Sequence, residues 1–145
     1  MTPSLLEVFV YGTLKPGERN YPLFCGGKVS QTRPALVRGV LYEIPSEMSQ
    51  SSYSYPAMAM GSDWVAGYLL TFTDEEILIA LDQLEGFQPG RSPTENEYQR
   101  EWLDLYTPKR EPFTQAWGYM MLPEKIQQLG GRKLDFTDVA HWSGL

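Results

Sequence analysis

The chain has one cysteine, Cys25, and one histidine, His141, and these scarcities remove much of the usual catalytic repertoire. A lone cysteine excludes an internal disulfide and a thiolate-rich zinc site. Nucleophilic machinery of the Ser-His-Asp or Cys-His kind could be built only around His141. Cys25 precedes Gly26-Gly27 with no evident base beside it, which reads as a buried thiol, and His141 lies in a terminal segment where packing is the default. Acid–base chemistry therefore falls to carboxylates, Lys or Tyr. Also missing is any stretch of about 18 apolar residues that could span a bilayer, and the first ten residues have no basic start to mark a secretory leader. No run of Lys and Arg offsets the net charge of −6, from 18 acidic against 12 basic residues. Phosphate backbones and anionic lipid would be repelled. A cytoplasmic protein with no nucleic-acid or membrane partner is the expectation, and nothing in the sequence indicates protein partners or an oligomeric state.

What is present is the material of a core. The 145 residues are 42% hydrophobic and 13% aromatic, the size and content of one globular domain spanning 1–145. Strands are expected at 7–11, 35–44, 57–60, 64–72, 99–106 and 115–122, with Gly39 marking a bulge and Gly61-Ser62-Asp63 a turn between two of them. Ser46 to Ser54 reads as a polar surface loop. Thr73-Asp74-Glu75-Glu76 has the form of a capping box, and Ile77, Leu81 and Leu84 recur on one helical face, so the spacing predicts a helix over 74–85 closed by Gly86. A short helix is expected over 123–129. Met58, Met60, Met120 and Met121 read as core or cavity lining. This is an α+β pattern: about six short, mostly antiparallel strands curling into a small barrel, with one main helix and a short C-terminal helix.

Two features invite chemistry. Glu85 falls in the last turn of the main helix, facing the negative end of the macrodipole between Leu84 and Phe87. Closure of the site over it would raise its pKa into the range of a general base, whereas an exposed carboxylate before a terminal glycine would satisfy the same spacing. Tyr11-Gly12-Thr13-Leu14 ends a strand, and with Gly12 adopting angles barred to other residues its N–H groups could form an anion-binding nest. An ordinary glycine turn fits it equally.

Several segments together resemble the γ-glutamylcyclotransferase-like family, which includes γ-glutamylamine cyclotransferases and AIG2-like proteins. They are VFVYGTLKPGERN at 8–20, GVLYEI at 39–44, YPAM at 55–58, LDQLEGF at 81–87, EYQRE at 97–101 and AWGYMM at 116–121. The resemblance implies a small mixed barrel in which Tyr11, Gly12, Thr13 and Leu14 grip a γ-glutamyl group, Glu85 is the acid–base residue and Tyr119 is a further contact. Tyr98 and Arg100 fit a family Y-x-R element, although Arg100 pairing with a carboxylate and Tyr98 packing would serve as well. The implied reaction is intramolecular: the substrate's α-amino group attacks its own γ-carbonyl, forming 5-oxoproline and expelling an amine, with neither metal nor other cofactor. The leaving amine is left open, as is whether the loop takes the α-carboxylate or the oxyanion. The alternatives are a non-catalytic binder of small carboxylated metabolites on the same fold, and an interaction domain in which a salt bridge holds Glu85 with no cavity beside Gly12.

Overall fold

The computed structural model describes residues 6–45 and 54–142. The serine-rich segment expected as a surface loop lies, but for Ser54, outside them. In chain order the elements are β1 (Leu6–Val10), α1 (Tyr21–Phe24), β2 (Val29–Ile44), β3 (Tyr55–Phe72), α2 (Ile77–Leu84), β4 (Gln99–Tyr106), β5 (Pro112–Met120), α3 (Pro123–Gln128), β6 (Arg132–Lys133) and β7 (Val139–Ala140). None of the described helices is long and apolar enough to cross a membrane.

Five strands close a ring. β2 pairs with β4, β4 with β5, β5 with β1, β1 with β3 and β3 back with β2, while β6 and β7 extend from β2 and β3. Most pairings are antiparallel; β1–β5 and β3–β7 are parallel. The expected mixed, mostly antiparallel barrel is present, with seven described strands where about six are expected. The difference lies in the short β6 and β7 and in β3. Gly61-Ser62-Asp63 does not end a strand, because β3 runs unbroken for 18 residues against β2 and takes up the irregularity as a register shift opposite Gly39/Val40. The ladder to β2 outweighs the local turn preference.

The strands are buried inside the ring and on the part of its outer face that the helices cover, whereas β4 leaves Trp102 exposed. Phe9, Val37, Met58, Leu69, Leu105 and Met120, from all five ring strands, fill the interior. Val8, Val10, Leu70 and Phe72 point the other way, beneath Ile77 and Leu81 of α2 and Ile126 of α3. Burial on both faces explains why β1 reads as an unbroken apolar run with Glu7 as its one charge. Of the four methionines expected inside, Met60 is 79% exposed, standing where β3 bends at the bulge.

The capping box does not form. Residues 74–76 make tight turns that send Ile77, Leu78 and Ile79 N–H to the carbonyls three residues back, so α2 starts at Ile77, not 74. The early donor is satisfied by Asp74, whose Oδ1 accepts from Glu76 N–H at 2.9 Å. The other end is as expected: Glu85 caps α2, and Gly86 follows at φ +66°, in the left-handed region that favours glycine.

Gly67 of β3 lies where the ring is tightest. A Cβ there would stand 2.3 Å from Val10 O and 2.6 Å from the Phe9 ring, and a backbone oxygen in a paired strand cannot swing aside. Gly67→Ala is expected to cost about 1–3 kcal/mol, read as a lower midpoint in urea with an unchanged m-value.

Candidate active site

β1 delivers the chain to the mouth of the ring, where Tyr11 anchors it. The Tyr11 hydroxyl donates to Tyr119 O of β5 at 2.7 Å and accepts from Met58 N–H of β3 at 3.1 Å. Beyond this anchor the chain turns sharply, Lys15 N–H bonding Gly12 O at 3.0 Å and Asn20 closing the loop through Thr13 O and Thr13 Oγ1, both at 2.9 Å. Outside the sheet ladders, the N–H groups of Gly12, Thr13 and Leu14 make no hydrogen bond among the described residues. Gly12 is not in the left-handed region, contrary to expectation. Glycine is needed there for a different reason: a Cβ would meet Pro56 Cγ at 2.5 Å. The loop is thus packed directly onto the start of β3.

Opposite the loop, α2 presents Glu85. Between them is a cavity of about 40 Å³, lined by Phe9, Val10, Tyr11, Gly12, Thr13, Leu14, Pro56, Glu85, Tyr98 and Tyr119. The free space is enough for more than one water-sized group. Every residue expected at the site borders it except Arg100. Arg100 lies outside, its Nη1 2.5 Å from Asp82 Oδ2 and its guanidinium 4.8 Å from the Trp117 ring centre, so it is the packing and pairing reading that describes it. Cys25 and His141 also lie away from the cavity. Burial pushes the Cys25 thiol up to about 11, leaving it an inert thiol at neutral pH. His141 packs on Phe136 with ring centres 5.0 Å apart and the planes tilted by 46°.

The Glu85 carboxylate makes no hydrogen bond or ion pair with a described residue. Desolvation first, and then the charge of Glu97, push its pKa up to about 8. Three buried tyrosines stand around it with their protons committed to protein acceptors: Tyr11 to Tyr119 O, Tyr98 to Pro56 O at 2.6 Å and Tyr119 to Asp82 Oδ1 at 2.7 Å. Burial raises all three phenols, and the charge of Glu85 adds to the rise, so they stay neutral.

Three residues of this environment were not singled out from sequence. Pro56 lies within the quoted YPAM element, but its contact with Gly12 has no local signal. Asp82 stands three residues before Glu85, a helical spacing that places the two on neighbouring turns of one face. Its two oxygens serve Tyr119 and Arg100, tying α2 to β5 and β4. Glu97 lies in the quoted EYQRE segment, and only the fold brings it beside the end of α2.

Residues 8–143 match the model of the family described as gamma-glutamyl cyclotransferase, AIG2-like. Among solved structures, an AIG2-like protein from Mus musculus is similar at 20% identity and a TM-score of 0.58, covering 86% of this chain and 84% of that one. A protein from Arabidopsis thaliana solved in solution matches at 20% identity and 0.61, covering 86% and 73%. An uncharacterized protein from Homo sapiens matches at 16% identity and 0.62, covering 88% and 77%. These likenesses establish a shared fold. No curated protein gives a significant match.

The raised Glu85 couples folding to pH. Its folded pKa of about 8 lies above the ordinary carboxylate value, so its contribution to stability is greatest below about 4.5 and is lost as pH rises toward 8. Glu85→Gln removes that loss. Its Tm relative to wild type is expected to rise steadily between pH 5 and pH 8 and to level off above, as followed by circular dichroism across that range.

Proposed function

Because the chain belongs to the gamma-glutamyl cyclotransferase, AIG2-like family, we propose that it cyclises the γ-glutamyl group of a γ-glutamyl amide to 5-oxoproline, releasing the amine. The observation that carries this reading is the placement of Glu85, whose carboxylate has no hydrogen-bond or ion-pair partner among the described residues, across a cavity from Gly12, Thr13 and Leu14.

The substrate contains its own nucleophile, so the site's task is to fold the chain, move protons and meet developing charge. The α-ammonium suits the acceptor-rich side of the cavity: the Tyr98 and Tyr119 hydroxyls have given their protons to protein acceptors and keep lone pairs to offer, and Glu85 stands among them. The N–H groups of residues 12–14 suit an anion, either the α-carboxylate or the oxyanion. Tyr11 acts through its ring, since its hydroxyl is engaged on both sides.

Glu85 takes a proton from the ammonium, and the freed amine attacks the γ-carbonyl. The new C–N bond closes the five-membered ring, and Glu85 hands its proton to the departing nitrogen as the oxyanion collapses and the bond to that nitrogen breaks. The carboxylate then takes the second proton from the ring nitrogen and passes it to the released amine, which leaves as an ammonium ion. A carboxylate near 8 is far better matched to an ammonium than an ordinary one. In the second reading the fold binds a small carboxylated metabolite without turnover. The interaction-domain alternative requires a salt bridge at Glu85 and no cavity beside Gly12, and among the described residues the reverse holds.

Incubation with a panel of γ-glutamyl amides should release 5-oxoproline, and Glu85→Gln should lower kcat by about 10²–10⁴-fold, the range for losing a general acid–base group, with binding largely kept. Saturable binding without release across the panel would leave the binder reading standing. For the active protein, kcat/KM should rise with pH along a limb centred near 8, the Glu85 value in the free enzyme.

A further inference from the structure

Glu97 does not line the cavity, yet the chain is built to hold it beside Glu85. The turn that ends α2 and the segment that enters β4 exchange two backbone bonds, Glu97 N–H to Gly86 O at 3.0 Å and Tyr98 N–H to Glu85 O at 3.2 Å. The Glu97 side chain lies over the glycine: a Cβ on Gly86 would stand 3.0 Å from Glu97 Cβ and 3.5 Å from its Oε2. The other oxygen, Oε1, accepts from the Tyr55 hydroxyl at 2.7 Å. Backbone, glycine and tyrosine thus converge on one carboxylate.

Among the other charged groups near Glu85, Arg91 follows α2 and gives its Nη2 to Gly86 O at 3.0 Å and its Nε to Asn96 Oδ1 at 2.8 Å, so its hydrogen bonds go to neutral oxygens. The loop after β1 contributes Tyr11, the entrance of β4 Tyr98 and β5 Tyr119, all neutral phenols. On its own helix the nearest charge is Asp82, which is neutralised by Arg100. Neither Glu97 nor Glu85 forms a salt bridge with a described residue.

We propose that Glu97 is a positioning residue for the cyclisation: stationed behind Glu85, its carboxylate makes the catalytic carboxyl a base strong enough to draw the proton from the substrate's ammonium and to keep it until the leaving nitrogen takes it. The inference rests on the cyclisation reading. Two carboxyls that interact at short range bind their first proton more tightly than either would alone, and a desolvated setting strengthens the effect. The charge of Glu97 is the second cause, after burial, of the rise at Glu85. Protons neither leave nor enter the site during the reaction; two pass in turn from the α-nitrogen through Glu85 to the departing amine.

The test reads the Glu85 carboxyl directly by carbon-13 NMR of glutamate-labelled protein, with Glu85→Gln used to assign its resonance. Glu97→Gln is expected to lower the Glu85 midpoint by at least one pH unit, Glu97→Asp to keep it near the wild-type value, and Glu97→Met, of similar length and uncharged, to reproduce the effect of Glu97→Gln. The acid limb of kcat/KM should move down by the same amount, changing the ratio of rates at pH 6 and pH 9 by about tenfold. An unmoved midpoint in a folded Glu97→Gln or Glu97→Met variant overturns the proposal. If neither variant folds, Tyr55→Phe decides: taking the hydroxyl from the Glu97 carboxylate leaves its charge less neutralised and is expected to raise the Glu85 midpoint, and an unmoved midpoint overturns the idea. The NMR midpoint does not depend on turnover. A protein that releases no 5-oxoproline while its midpoint still follows the charge at residue 97 therefore rejects the cyclisation reading and leaves the Glu85–Glu97 coupling intact.

Discussion

One hydroxyl group holds the candidate site together. Tyr11 stands where β1 runs out, and its phenol oxygen joins the carbonyl of Tyr119 on one neighbouring strand to the amide of Met58 on the other. Both partners are buried, so their desolvation is offset only while the phenol remains in place. With the end of β1 pinned on both sides, Gly12 turns against Pro56, and Gly12, Thr13 and Leu14 come to line the cavity. The loop's geometry follows from the closure of the ring.

The same buried setting governs the electrostatics. The phenol protons point away into protein acceptors, Arg100 is spent on Asp82 and Arg91 on Gly86 O and Asn96, and the charge of Glu97 adds to the effect of burial on Glu85. Such a site resists ionisation of Glu85 until something cationic enters. A cost to folding at neutral and higher pH is thereby tied to the chemistry the site can perform, a form of local strain expected where function opposes stability.

How much of this could be read from the chain depends on whether its cause was local. The ends of β4 and the close of α2 at Gly86 follow from alternation and from a glycine at positive φ, and both are where the sequence suggests. The start of α2 is not, because Asp74 offers the first N–H a nearer acceptor than Thr73. The turn at 61–63 has the right residues, but the pairing with β2 overrules it. At the site, Glu85 and the Tyr11–Leu14 loop were reached through the joint order of several motifs. The contact of Gly12 with Pro56, the exclusion of Arg100 and the approach of Glu97 are products of tertiary packing, which leaves no periodic trace.

The parallel pairing of β1 with β5, through Val8 and Trp117, sets an order on the birth of the protein. The Tyr11 hydroxyl waits for an acceptor 108 residues downstream. During synthesis from the amino terminus, β1, the loop and the helix that bears Glu85 all leave the ribosome before Tyr119 does. The nascent chain therefore carries both halves of the site from the synthesis of Glu85 until that of Tyr119 and can assemble them only once the last ring strand has emerged.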